Sequence, residues 1–342
     1  MGAYTMGILQ VALQAQVSVA TVSRVFNFPD RVLPATRLRV EEIASLLGYL
    51  PNASARTLRT QRSRLLGVVL PTLMNPVFAE CLEGIARTAA TGGYAIIPHT
   101  TNYQLAQEER AVSLLLAGNV DGVILVVSNP ATSVALARLC EAGLPYVLAY
   151  NRHADHPCVS VQSEEAVAAL VARLAGLGHH RIALVTGQLA ASDRAQQRCR
   201  GFEVGMAAAG LATPAVLEVD FLATAAQQIC DTLLRQPASL RPTALVCSND
   251  LLALRSIRAA HLAGISVPGE LSITGFDGIA LGVDLTPMLS TITQPNAEIG
   301  QCSVELLVQA LAGGAVLQAA CSLTLPHGWR TGESCAAAPV RL

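Results

Sequence analysis

The sequence predicts an α/β protein in two parts: a small helical head at the N-terminus, then a larger body of two subdomains built on parallel sheets. Three observations carry this. Apolar residues between positions 7 and 48 recur at helical spacing. From Leu65 onward, short continuous apolar runs alternate with helical segments. Charge is also divided: residues 1–64 hold eight Arg against Asp30, Glu41 and Glu42, a net of +5, while the rest holds 15 Arg against 21 acids, a net of −6. A basic end on an acidic body suggests a head that binds a polyanion and a body with another task.

The head divides into three short helices. Val11, Ala12 and Ala15 fit one apolar face, and Val19, Val22 and Val25 fit a second at helical spacing, with Ser18 placed to cap it. A third helix starts near Pro34, turns Val40, Ile43, Ala44 and Leu47 inward, and ends at Gly48. Pro51 then breaks the chain. Asn52–Arg59 has the length of one or two helical turns, too short to be stable alone because helix nucleation is costly.

In the body, apolar runs at Leu65–Leu70, Tyr94–Pro98, Val120–Val127, Pro145–Ala149 and Val159–Val161 read as one set of strands. Ile182–Thr186, Val216–Val219, Ala244–Cys247 and Leu271–Gly275 read as a second. Helical segments such as Phe78–Ala90 and Val167–Leu177 separate them. Continuous apolar strands between helices imply parallel sheets covered on both faces. Ligands in such folds sit at the carboxyl ends of strands, here in the cleft between subdomains. The expected domains are 1–50 (head), 51–64 (hinge and linker) and 65–342 (body). Subdomain 1 takes about 65–160 and 290–322, and subdomain 2 about 161–289 and 323–335.

Composition narrows the function. With 52% hydrophobic and 14% charged residues, a large core is available and wholesale disorder is excluded. Only 4% of residues are aromatic, which argues against stacking platforms for RNA. No apolar run reaches the roughly 18 residues of a membrane helix. Met1–Gln16 lacks the charged and apolar regions of a secretory signal, so the expected location is cytoplasmic. Nine Cys, an odd number without a CxxC pair, read as reduced core residues. No GxSxG, P-loop, GxGxxG or HExxH motif supports an enzyme. The adjacent His179 and His180 point in different directions and have no nearby Cys or Asp cluster, so no metal is expected.

The most specific stretch is Gln16-Val-Ser-Val-Ala-Thr-Val-Ser-Arg-Val-Phe-Asn27. Together with Thr36-Arg37, Leu47-Gly48-Tyr49 and Pro51-Asn52-Ala53, it resembles the lactose-repressor (LacI/GalR-type) family of bacterial transcription regulators. The resemblance continues through Asn75–Glu80, Asp121–Ile124, Gly178–Ala183, Ser248-Asn249-Asp250, Val267-Pro268 and Gly275-Phe276-Asp277, covering about residues 8–330. It implies a helix-turn-helix head, a hinge helix and a periplasmic-binding-protein-like body. It further implies a homodimer, or less readily a tetramer, that represses transcription from double-stranded operator DNA under control of a small effector, a sugar or sugar acid, with no cofactor. A purine- or nucleoside-responsive regulator of the same fold is the alternative, followed by a sugar receptor without DNA function.

The resemblance also carries over residue by residue. Val19 and Ala20 follow the capping Ser18 and take the base-reading positions, where they can meet a thymine methyl but donate no hydrogen bond. Thr21, Ser23 and Asn27 can contact phosphates, and Arg24 can reach phosphate or guanine. Within the hinge, which begins at Asn52, Leu58 takes the minor-groove wedge position with Ala55 as its small neighbour, and Arg56, Arg59, Arg62 and Arg64 add phosphate contacts. Effector contacts fall on Arg198, Asn249 and Asp277, with Phe221 as a stacking ring, Asn75 and Phe78 on the opposite subdomain, and Gln162 near the crossover. Two departures stand out. Gln16 occupies a turn position where the family most often has Gly, and Gln162-Ser163 replaces the usual Asp-Asn.

Overall fold

The computed structural model describes residues 7–49, 62–212, 215–220, 224–314 and 316–339. Asn52, Ala55, Leu58 and Phe221 lie outside the described residues. The chain forms two units, Met1–Ser63 and Arg64–Leu342.

In the first unit, Ile8–Gln14 (α1), Val19–Asn27 (α2) and Pro34–Leu46 (α3) are the helices. Val11, Ala12, Ala15, Val22, Val25, Val40 and Ala44 make the buried core. Val19 does not join it and is 37% exposed. It stands roughly 90° from the centre of the stripe formed by Val22 and Val25, so apolar spacing alone misplaced it. Pro34 sits in the first turn of α3, where its missing N–H is no loss. Gly48 adopts φ +61°, and the Tyr49 N–H closes the helix end on Ala44 O at 2.8 Å.

The body contains two six-stranded sheets. The first holds Leu65–Leu70 (β1), Ala95–Thr100 (β2), Gly122–Leu125 (β3), Tyr146–Ala149 (β4) and Cys158–Val161 (β5). The second holds Ile182–Thr186 (β6), Ala215–Glu218 (β7), Ala244–Cys247 (β8), Ser272–Asp277 (β9) and Ser290–Thr293 (β10). Leu323–Leu325 (β11) joins the edge of the first sheet and Gly328–Arg330 (β12) the edge of the second. The helices are Pro76–Thr91 (α4), Leu105–Ala117 (α5), Val134–Glu141 (α6), Ser163–Gly176 (α7), Asp193–Ala208 (α8), Ala225–Ile229 (α9), Asp250–Leu262 (α10) and Asn296–Gly313 (α11).

Both sheets share one order. Across the first it runs β2-β1-β3-β4-β5, and across the second β7-β6-β8-β9-β10, in parallel pairing throughout. Chain direction across the sheet therefore reverses beside β1 in one lobe and beside β6 in the other. Crevices at such switch points open at the carboxyl ends of the strands. Among the described residues only β12 runs antiparallel to its neighbour.

The lobes exchange chain at three places: from β5 into α7, from β10 into α11, and from β11 into β12. The expected subdomain limits are corrected accordingly. Ser290–Thr293 pairs with β9 and belongs to subdomain 2, whereas Leu323–Leu325 pairs with β5 and belongs to subdomain 1. Hydrogen-bond partners decide membership at the crossovers, and short apolar runs do not reveal their partners. Helix α11 seats on α4 through small residues. A Cβ on Gly84 would stand 2.1 Å from Ala297 O, and one on Gly300 would stand 2.2 Å from Cys81 O.

Candidate DNA-binding and effector sites

The head presents α2 outward. Gln16 holds the preceding turn at φ +52°, a conformation that favours Gly. Ser18 Oγ accepts from the Thr21 N–H at 3.1 Å and lies 2.9 Å from Thr21 Oγ1, which caps the helix. Ala20 and Arg24, opposite the buried Val22 and Val25, and Val19 at the flank are exposed. Asn27 Nδ2 donates to Ser23 O at 2.5 Å and reaches Ser23 Oγ at 3.4 Å, so the two form one polar end of this face. Arg64, expected to add a phosphate contact, begins the second unit. Its backbone N–H donates to Asp121 Oδ2 at 3.0 Å, and its guanidinium lies 5.0 Å from the centre of the Tyr94 ring, within the body.

In the body, Asn75, Phe78, Arg198, Asn249 and Asp277 line one cleft at the switch-point ends of the strands. Each of its polar residues has a local reason for its place. Asn75 and Asn249 are N-caps of α4 and α10, accepting from Val77 N–H at 3.4 Å and Leu252 N–H at 2.8 Å. Asp277 ends β9 at φ +124°, a region that side chains rarely adopt. Its Oδ1 accepts from Gln294 Nε2 at 2.7 Å and lies 3.3 Å from Arg198 Nη2. Arg198 also donates from Nη1 to Ser248 O, and its guanidinium carbon stands 3.7 Å over the Phe276 ring.

Burial dominates the electrostatics. It pushes the Asp277 carboxyl up to about 6, against the opposing pull of Arg198 and of hydrogen bonds from Gln294 and Asn75. Behind it, Asp250 accepts from the Ile279 N–H at 2.8 Å and from Thr291 Oγ1, and burial with the charge of Asp277 pushes it up to about 7. The cleft is narrow, with about 40 Å³ of free space, room for two or three waters.

Several lining residues were not anticipated: Tyr103, Tyr150, Ser192, Arg194 and Gln294. Tyr150 ends the chain segment after β4, donates to Val77 O at 3.0 Å and meets Phe78 edge-on at 5.7 Å between ring centres. Position relative to strand ends was the available signal for Tyr150. Arg194 had a signal as well, four residues before Arg198 on the same helix. Gln162 is a correction. It is not among the residues lining the cleft and, at the N-cap position of α7, borders a separate hollow with Arg152 and Arg200.

His179 is buried, with Nδ1 3.0 Å from Thr243 Oγ1 and Nε2 3.0 Å from Ala336 O. Among the described residues no group of three or more His, Cys, Asp and Glu could hold a metal ion.

A helix-turn-helix head and a two-lobed binding body define a DNA-binding transcription regulator with an effector-binding domain. Residues 7–52 match the bacterial regulatory proteins, lacI family, and residues 171–335 match a periplasmic binding protein-like domain. The HTH-type transcriptional repressor CytR of Escherichia coli (strain K12) is 33% identical over 308 residues, 89% of either chain. The HTH-type transcriptional repressor PurR of Aliivibrio fischeri (strain MJ11) is 34% identical over 309 residues, covering 89% of this chain and 91% of its own. The crystal structure of the lac repressor dimer bound to operator and the anti-inducer ONPF superimposes with a TM-score of 0.85 at 26% identity, covering 97% of this chain and 99% of that one. The chain belongs to the lacI family of bacterial regulatory proteins.

Proposed function

We propose that the protein is a cytoplasmic homodimeric repressor, that Ser18, Val19, Ala20, Thr21, Ser23, Arg24 and Asn27 contact a pseudo-palindromic operator, and that a sugar or sugar acid in the cleft sets operator affinity. Residues Asn52, Ala55 and Leu58 would contribute the hinge contacts, and Phe221 would flank the effector. The carrying observation is the convergence of Asn75, Phe78, Arg198, Asn249 and Asp277 on one cleft between the two lobes. An effector bridging both lobes changes their closure, and closure shifts the population of the operator-binding state. Two-fold symmetry of the dimer sets the symmetry of the operator. No helix among the described residues is long and apolar enough to cross a membrane.

One observation favours a second reading. Phe78, Tyr103 and Tyr150 all line the cleft, a richer aromatic wall than the composition suggested, and flat rings suit a nucleobase. Fluorescence anisotropy with labelled operator, in the presence of sugars, sugar acids and nucleosides, tests both readings. Asp277→Ala should remove the response to whichever compound acts. A response that survives this change would place the effector elsewhere.

A further inference from the structure

We propose that the effector is a hydroxylated carboxylic acid whose carboxylate lies between Arg194 and Arg198, an inference that rests on the cleft being the effector site. The two arginines stand four residues apart on α8, so they share one helical face. Both line the cleft, and they are only 6% and 7% exposed. Each keeps one buried nitrogen without a partner, Arg194 Nη2 and Arg198 Nε. A guanidinium cannot shed its charge, so a buried N–H of this kind has an unmet need for an acceptor.

Partners to the remaining nitrogens hold the two guanidinium groups in place. Arg194 Nη1 donates to Val127 O at 2.9 Å and to Asp193 Oδ1 at 3.0 Å. Arg198 donates to Ser248 O and pairs with Asp277 at 3.3 Å. The neighbouring carboxylates do not meet the remaining need. Asp193 accepts from Asn151 Nδ2 at 2.6 Å and Gln197 Nε2 at 3.1 Å, and Asp277 accepts from Gln294.

Position on the helix adds to the effect. Arg194 lies in the first turn of α8, where the helix dipole is positive, and Arg198 stands one turn further on. The charge of Arg194 also acts unfavourably on Arg198. A group that only accepts and carries one negative charge answers all of these conditions, and a planar carboxylate fits two guanidinium edges. A phosphate dianion would place its second charge against Asp193 and Asp277. Asp277, Asn249 and Asn75 remain for hydroxyl groups on the rest of the molecule.

The test uses the full-length protein at constant ionic strength. Thermal shift and operator anisotropy are read with gluconate, glucuronate and galacturonate, with glucose and galactose as neutral parents, and with glucose 6-phosphate and adenosine. At least one acid should bind about ten- to a hundredfold more tightly than its neutral parent, the value of hydrogen bonds to a charged group. Arg194→Met should remove most of that difference, and Arg194→Lys, which keeps the charge, should restore part of it. Circular dichroism and operator binding of both variants establish that they are folded. The inference is overturned if no acid exceeds its neutral parent, if the phosphate or adenosine binds more tightly than every acid, or if Arg194→Met leaves the preference intact. A neutral sugar that shifts operator affinity where acids do not would overturn this inference alone. If no compound shifts operator affinity, the cleft reading fails as well.

Discussion

Arg24 and Gln16 show how one side chain can be judged against its local backbone. Arg24 is exposed on the outward face of α2, away from the buried Val22 and Val25. Its substitution by Ala should weaken operator binding and lower the slope of log affinity against log salt by about 1. An unchanged slope in anisotropy titrations would remove Arg24 from the interface. Gln16 holds φ +52° in the turn between α1 and α2. A side chain there costs on the order of 1 kcal/mol, so Gln16→Gly should slow hydrogen exchange of the α1 and α2 amides by an amount corresponding to about 0.5–1 kcal/mol. Faster exchange would mean that the entropy added to the unfolded chain outweighs the relieved strain.

Among the elements, α4 and α11 depend on close backbone approach. The Cβ of Gly84→Ala would fall 2.1 Å from Ala297 O, a backbone atom that cannot rotate away. The helices must separate, and overpacking of this kind costs about 1–3 kcal/mol. The urea midpoint should fall accordingly. Gly313→Ala serves as the comparison, since a Cβ there meets nothing within 4 Å, and it should cause no loss. Equal effects at both sites would show that helix propensity and not contact governs α4 and α11. The same contact joins α11, which follows the crossover from β10, to the first lobe, so its loss would also loosen the hold between lobes.

At the scale of the whole molecule, the buried carboxyls tie stability to pH. Asp250 and Asp277 keep their protons up to about 7 and about 6, well above the ordinary carboxylate range, because burial disfavours their charge and, for Asp250, the charge of Asp277 adds to it. Between that ordinary range and pH 6–7 the folded chain holds more protons than the unfolded one, so the contribution of the pair falls as pH rises. Urea unfolding from pH 5 to pH 8 should therefore show a smaller loss of stability in Asp250→Asn than in the parent. Equal losses would mean that Asp250 ionises at its ordinary value. An effector that brings its own charge into the cleft would change this balance, and its binding should release or take up protons in the same interval.

Much of the fold could be read from local chemistry. Helical spacing identified the three head helices, Gly48 and Pro34 marked ends of α3, and continuous apolar runs located nine strands of the two sheets. The family motifs placed Asn75, Phe78, Arg198, Asn249 and Asp277, residues 75 to 277 in the chain, on one site. These features depend on period, on turn chemistry and on residue type, all of which lie within short stretches of sequence. Tertiary structure alone decided which sheet received β10 and β11, that Val19 leaves the head core, that Gln162 misses the cleft, and that Arg194 enters it beside Arg198. Each depends on partners distant in sequence: a strand's hydrogen-bonding neighbour, the direction in which a helix leaves a crossover, and the reach of Arg194 to Val127 O in the opposite lobe.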